Sequence, residues 1–515
     1  MAGTRIPPPY IDVTQTDWSK GIVSDVPLTN LPRNACADLV DFLPHEPGIL
    51  RRRGGTQYVG SALTGASYIR RVYASTDVAN QIIGIGNNHH LYTIDVSTGT
   101  VVDKGTTTIY VNNGVYRSGP GNDLLCLTGL DGAPRKFNGS TVSLLGGSPP
   151  GFCAVATVYK TRLVLGNQNA PVMPNRLWFS PTPDIEAAWD TTNSWIDMEQ
   201  PITALIPLQN SLLVFSEHQC SALVGSTPPT SADSGDFNQQ LVGRQGVIHQ
   251  KSVITWNGYA VFANASGVYM TNGVGFRDLT QAGGIKDQWR QMNLGIVTTG
   301  TDPQCPILGL YQNFLIAFCP GSQMLVCHLP TDCWFRFARL NPLHFTTGSS
   351  AAGSPPDETY YGEAGTNRVT AISNCFTPGV QQIPAFQALA KPLPFDADGS
   401  AIEPYIRTRP FGVSLSLNEY SFGWLNYDLR DTSGGTNPNL TVVYVPGYTF
   451  EATGGVTVGT FAETSQDIAH RFTVGTRSKA LSLMIQQNGA SDKTDIFGIR
   501  VQQRPFPTME LADQH

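Results

Sequence analysis

The stretch that most constrains what this chain can fold into is Trp256 to Gly273, WNGYAVFANASGVYMTNG. Asn257-Gly258 supplies the two positive-φ positions of a tight hairpin turn. An apolar run follows from Tyr259 to Asn264, then a turn at Ala265-Ser266-Gly267, a short run Val268–Thr271 and a closing Asn272-Gly273. In a strand, Tyr259, Val261 and Ala263 share one face while Ala260 and Phe262 share the other. Both faces are apolar, so the strand must be covered above and below. A lone hairpin cannot provide that cover, whereas small sheets stacked on one another can.

The same pattern of strand, Gly- or Asn-bearing turn and second strand recurs at Gln81–Asp95, Asp123–Phe137, Lys160–Ser180, Asn210–Gly225, Tyr311–Leu329 and Thr359–Ser373. The later repeats follow one another at roughly 50-residue intervals, close to the roughly 40–50 residues of a four-stranded propeller blade. The expected architecture is therefore all-β: a β-propeller of six or seven blades. No tryptophan-aspartate or kelch signature marks the repeats.

Composition agrees with that class. There are 52 Gly and 36 Pro, more punctuation than a helical protein tolerates. Charged residues make up only 14%, which fits extensive sheet or a surface covered by partners. The formal charge of −6 argues against tight sequence-general nucleic-acid binding, which needs a basic surface to release counterions. It is compatible with a wall past which DNA slides. None of the nine cysteines forms a Cys-x-x-Cys pair, and several lie in strand-like runs, so buried free thiols are expected. The first residues, Met1 to Pro9, carry no apolar signal core, and no run approaches a transmembrane span; the expected place of synthesis is the cytoplasm.

In chain order, residues 1–60 read as an extended N-terminal arm, with Pro7-Pro8-Pro9 extended and an entry turn at Pro47-Gly48. Residues 61–375 hold the blade hairpins, and residues 376–404, with five prolines, read as a linker crossing a surface. Residues 405–515 return to strand patterns and read as a C-terminal β-sandwich-like domain with a polar tail; Leu415–Leu417, Leu440–Val445, Phe461–Thr464, Ala480–Gln486 and Asp495–Gln502 are its expected strands. Short helices are expected near Asp184–Trp189 and Ile285–Met292.

The usual catalytic patterns are absent: no His-Glu-x-x-His, no Gly-x-Ser-x-Gly elbow, no Gly-Lys-Ser/Thr phosphate loop and no Asp-box turn. His89-His90 point to opposite faces of a strand and read as a surface turn pair. The carboxylates Asp184, Glu186, Asp190, Asp197 and Glu199 read as an acidic loop, since calcium-loop spacing is missing. Trp334-Phe335, Tyr360-Tyr361, Trp424 and Tyr427 read as interface filling, with stacking on sugar or bases as the functional alternative. The expectation is a protein that is not an enzyme and uses no cofactor or metal. Candidate partner or channel contacts are Arg51, Arg52 and Arg53, which either touch DNA or a neighbouring subunit's acidic groove or form a solvated strand entry with guanidiniums paired to local carboxylates, together with Asp233, Asp236 and Asp302 on the loops Ser226–Gln240 and Thr299–Pro306.

One resemblance organises the N-terminal region. Gly21-Ile22, Asp25-Val26-Pro27, Leu31-Pro32, Ala35, the apolar stretch Ala37–Leu43 and Pro47-Gly48-Ile49-Leu50-Arg51-Arg52-Arg53-Gly54-Gly55-Thr56 follow in an order that resembles the N-terminal segment of phage tail nozzle proteins. That group includes the tail tubular B and packaged-DNA stabilisation proteins of short-tailed phages. Arg53 stands where the family pattern often has proline. The hairpin Asn257–Tyr269 also resembles the family's propeller blades. The resemblance implies a structural virion protein: a homo-hexameric ring around the DNA exit channel, docked to a tail adaptor or portal-side protein and to tail fibres or spikes. It also implies transient contact with genomic DNA and a place in the virion tail. The competing expectation is a propeller at a tail tip that binds or degrades a host-receptor glycan.

Overall fold

The computed structural model describes residues 10–46, 48–75, 81–117, 124–231, 233–292, 305–319, 324–348, 358–372, 375–376, 396–411, 418–430, 439–446, 456–462, 468–488 and 493–505. The chain is all-β, with many small four-stranded sheets in a propeller-like arrangement. Among the described residues no helix is long and apolar enough to cross a membrane.

The hairpin that dominates the sequence forms as its residues require. Trp256 lies opposite Tyr259, and the two residues between them, Asn257 and Gly258, have φ of 46° and 81°. Val253–Trp256, Tyr259–Asn264, Gly267–Thr271 and Phe276–Asp278 make one antiparallel four-stranded sheet. Its second strand is buried on both faces. Ala260 and Phe262 join an apolar cluster with the preceding sheet, where Phe262 meets Phe215 at 5.0 Å. Val261 and Ala263 face the following sheet, in a cluster that contains Leu308 and Ile316. A Cβ at Gly258 would meet nothing within 4 Å, so its substitution isolates the backbone effect. Gly258→Ala is expected to cost about 1 kcal/mol, read as a lower urea midpoint with an unchanged slope.

The same sheet recurs. Four-stranded antiparallel sheets begin at Ile69–Ala74, Asn113–Arg117, Cys153–Tyr159, Ala204–Pro207 and Val253–Trp256. Ile307–Tyr311, Phe314–Phe318, Met324–His328 and Cys333–Phe337 make a further four-stranded run that continues into a larger sheet. The next sheet takes three strands, Pro342–Gly348, Glu358–Glu363 and Val369–Ala371, from this part of the chain and its fourth, Gln57–Val59, from the N-terminal segment. First strands of neighbouring sheets pack together from Asn113–Arg117 onward, and Pro342–Gly348 lies against Ile69–Ala74. There the Val72 and Ala74 amides donate to His344 Nδ1 (3.4 Å) and Thr346 Oγ1 (3.0 Å).

The segment before residue 60 differs from an arm laid over a surface. Gly21–Ile22 and Ala35–Val40 extend the sheet of Cys333–Phe337, and Tyr405–Thr408, Leu481–Asn488, Asn439–Pro446 and Val456–Ala462 carry it on to ten strands. Ile11–Gln15, Phe42–Glu46 and Ile49–Arg52 instead join a six-stranded sheet with Asn418–Arg430, Ile468–Ser478 and Lys493–Pro505. The two sheets share one core, in which Phe461 meets Tyr427 (6.2 Å) and Phe472 (6.3 Å). The reason is backbone satisfaction: an exposed sheet edge leaves donors and acceptors unpaired, and the N-terminal strands fill those edges.

One expectation about local structure changes. Asp184–Trp189 forms turns rather than a helix, with the Glu186 amide donating to Asp184 Oδ1 at 2.9 Å. Among the described residues the α-helices are α1, Leu279–Gly283, and α2, Lys286–Met292. The expected strand Leu415–Leu417 and most of the Pro-rich 376–404 segment lie outside the described residues, while Asp396 within that segment is buried.

Candidate functional site

The N-terminal motif residues converge on structural joints. Asp25 caps α2: its carboxylate accepts from the Lys286 amide (2.9 Å) and the Asp287 amide (3.0 Å). Gly21 sits at φ 63°, with its amide donating to the Trp18 carbonyl, and packs against the backbone of Trp334. Val23, Leu28, Leu31, Ala35 and Ala37 form their own apolar cluster, with Val26 packed against it.

The arginine run is used internally. Arg53 is fully buried, its Nε donating to Asp41 Oδ1 at 2.6 Å and its two terminal nitrogens to the Asp396 carboxylate at 2.7 and 2.8 Å. Burial alone would lower its pKa, but Asp41 and Asp396 outweigh that and hold it well above the ordinary value. The Gly54 carbonyl (3.1 Å), the Ala338 carbonyl (3.3 Å), Cys375 Sγ (3.8 Å) and the Phe337 ring (5.2 Å) also surround it. Arg51 makes a two-point pair with the buried Asp495, at 3.0 and 3.2 Å. Arg52 is 3% exposed. Arg51 and Arg53 thus pair with carboxylates, but Asp495 and Asp396 are distant in sequence rather than local, and Arg52 and Arg53 are buried rather than solvated.

Asp233 and Asp236 lie exposed on their loop. Asp236 accepts from the Thr227 amide (2.6 Å) and the Ser226 amide (2.7 Å), and those donors hold its pKa below the ordinary carboxylate range. The Gly235 amide donates to Asp233 at 3.1 Å. Asp302 lies outside the described residues.

Among the carboxylates weighed for chemistry, Glu186 pairs with Lys136 (2.5 Å) and Asp197 with Arg176 (2.7 Å). His90 pairs with Asp103 at 2.8 Å, while His89 turns its Nδ1 to the Ile109 carbonyl. Among the described residues no three His, Cys, Asp or Glu side chains are grouped to hold a metal ion. All nine cysteines are buried free thiols. Trp334, Phe335, Tyr360, Tyr361 and Tyr427 are buried in the core, and Trp424 is half-buried.

A cavity of about 560 Å³ lies where α2 meets the long sheet. α2 contributes Asp287, Gln288 and Gln291, and adjacent strands contribute Asp38, Arg336, Tyr405, Arg407 and Met484. Arg336 donates to Asp38 and to the Tyr405 hydroxyl (2.8 Å), and that hydroxyl donates to Asp38. Burial pushes the Tyr405 pKa up and the Arg407 pKa down. The cavity presents charge of both signs, and Ser24 also lines it, its hydroxyl 3.5 Å from Asp25 Oδ1; the mixed polar lining is suited to holding a side chain or small polar ligand. Sequence reading missed it because its walls come from five distant stretches. The readable signal was Arg336 itself, a lone charge inside the apolar run Cys333–Phe337.

Near the Arg53 cluster, Glu363 is pushed up to about 7, chiefly by burial and then by Asp398 and Asp396, against an opposing hydrogen bond from the Asn341 amide. The folded protein thus keeps this proton to about pH 7, whereas the unfolded chain releases it near 4.5. Between those values the folded state binds more protons, so stability falls as pH rises, by on the order of 3 kcal/mol at most. Glu363→Gln is expected to flatten this window and to raise the melting temperature at pH 8 more than at pH 4.5.

No family model matches the chain, and no curated protein matches it. Among solved structures, the computationally designed Ika8 protein is similar, with a TM-score of 0.38 and 12% identity, over 61% of this chain and 99% of its own. A likeness that distant carries no functional argument.

Proposed function

We propose that this chain is a non-catalytic structural protein of a bacteriophage tail, a nozzle-type component whose copies form a ring around the path of the genome. The carrying observation is what the nozzle-like N-terminal motif does. Gly21 packs against the neighbouring strand of the ten-stranded sheet, Asp25 caps α2, Arg51 pairs with Asp495 across two strands of the six-stranded sheet and Arg53 ties Asp41 to Asp396, so the residues behind the resemblance are spent on rigidity rather than on chemistry. Within each copy, the seven four-stranded units form a closed seven-bladed propeller. Support for closure comes from Gln57–Val59, which precedes the first unit yet completes the last, and from the contact of Pro342–Gly348 with Ile69–Ala74. Pairing a strand from one end of the repeat with strands from the other is how a circular array avoids two free edges.

Copies in such a ring meet through heterologous contacts, one patch against a different patch of the next copy. The resemblance sets the expected number at six, with a tail adaptor and fibres as neighbours and DNA passing through. The glycan reading loses support because the aromatics available for sugar stacking are mostly buried. Mass photometry and negative-stain imaging over a concentration series test the proposal. The expected result is a discrete ring with a central opening. A chain that stays monomeric at every concentration and binds a bacterial surface glycan would overturn it.

A further inference from the structure

The six-stranded sheet turns one face to the core and leaves the other outward. Phe472, Val474, Leu425, Ile499 and Val501 are buried, and Arg471 and Arg477 alternate with the buried positions of their strand on the exposed side. Arg471 and Arg500 lie in register on either side of Trp424. The Arg471 guanidinium stacks 3.5 Å from the Phe422 ring, Arg500 lies 4.1 Å from Trp424, and Arg504 lies 4.4 Å from Tyr10. Among the described residues, the carboxylates paired with these arginines are Glu419, beside Arg504 (2.5 Å) and Arg477 (3.8 Å), and Asp12, 3.6 Å from Arg500; further along the same side Asp495 is buried against Arg51. Arginines thus outnumber carboxylates on one face of a chain whose formal charge is −6. The rings hold the guanidiniums of Arg471, Arg500 and Arg504 in place on this face, with Arg500 and Arg504 also meeting Asp12 and Glu419, so a planar cationic surface is preset for oxyanions at low entropic cost.

The opposite charge lies elsewhere on the same chain. Asp184 and Asp190 are exposed on the loop after Met173–Phe179, and Asp233 and Asp236 on the loop after Cys220–Val224. Alternate loops of an antiparallel sheet emerge at the same end. Lys160 reaches the Gly225 carbonyl at 2.8 Å and Tyr159 the same atom at 3.1 Å, which ties the corresponding ends of these two sheets together. Asp190 and Asp236 are both held in their ionised form, by Asn193 and by the Thr227 and Ser226 amides respectively.

We infer that the arginine–aromatic face of the six-stranded sheet docks the acidic loops around Asp184, Asp190, Asp233 and Asp236 of a second copy of this chain. The inference rests on the ring reading above and names its interface. Complementary charge on two separate patches of one molecule gives a head-to-tail contact, the type a ring needs.

The test uses the full chain in sedimentation velocity and mass photometry, with three variants: R471E/R500E, D233K/D236K and the combination of all four. Each double variant is expected to weaken assembly at least tenfold, and the combination is expected to recover most of that loss. Raising salt should weaken wild-type assembly and leave the double variants little changed. Should the basic-face variant misfold, the acidic-loop variant, on a different sheet, decides the matter. Assembly within twofold of wild type in both double variants would overturn the interface while leaving the ring reading intact. So would loss of binding to a duplex DNA probe in R471E/R500E with assembly unchanged, which would assign the face to nucleic acid. A wild-type chain that never assembles would remove both readings.

Discussion

Arg53→Ala should be among the most damaging single substitutions in this protein, costing about 3–5 kcal/mol of folding stability in urea titrations at neutral pH. The wild-type guanidinium is enclosed by two carboxylates, Asp41 and Asp396, both buried. Its removal leaves two like charges facing each other away from water, a worse outcome than the loss of one hydrogen bond. The pH dependence carries the diagnosis. Without the guanidinium both carboxylates favour their neutral form, so the folded variant binds protons that the unfolded chain has already released. Stability then falls as pH rises, and the deficit relative to wild type should be smaller at pH 5 than at pH 8. Replacing Arg53, Asp41 and Asp396 together by apolar residues of similar volume should recover much of the loss, because a buried charge cluster contributes little once its members are absent. A deficit independent of pH would show that lost packing against Phe337, not charge, is the cause.

Gly21→Ala should be comparably severe for a different reason. A Cβ at this position would lie 2.2 Å from the Trp334 carbonyl oxygen and 2.8 Å from Cys333 Sγ. The oxygen belongs to the backbone of the strand Cys333–Phe337 and cannot move aside without loosening that strand. The backbone at φ 63° adds about 1–2 kcal/mol for any residue with a side chain, and the forced separation adds about 1–3 kcal/mol more. The expected result is a loss of roughly 3 kcal/mol or more, with proteolytic cleavage appearing first near Trp18 and Ile22, which are now buried. Because Gly21–Ile22 links Cys333–Phe337 to Ala35–Val40, a local change here should lower the stability of both the propeller-like part and the C-terminal sheets. Thermal unfolding followed at the two regions separately would detect that coupling.

Much of the strand pattern was legible in the residues. The strands within Gln81–Asp95, Lys160–Ser180, Trp256–Gly273 and Tyr311–Leu329 all form, because apolar runs punctuated by Gly and Asn leave the local chain few alternatives. The C-terminal strands were less legible. Asn418–Arg430 and Ile468–Ser478 interleave arginine and glutamate with their apolar positions, so period-two reading saw polar sequence where one face is core. Arg51–Arg53 looked like a surface charge run, since nothing in the sequence reveals that Asp495 and Asp396 come back to meet it.

What the sequence determined by itself was the strand content, the turn positions and the need for cover on both faces of each short strand, since those follow from side-chain period and the φ preferences of a few residues. The tertiary structure alone decided which edges the N-terminal strands fill, where Arg53 finds its carboxylates, and which face of the last sheet stays outward. Those outcomes depend on pairing between residues hundreds of positions apart. A strand's own residues specify that it must pair, but the hydrogen-bonding backbone is the same everywhere, so the choice of partner is made by the whole assembled core.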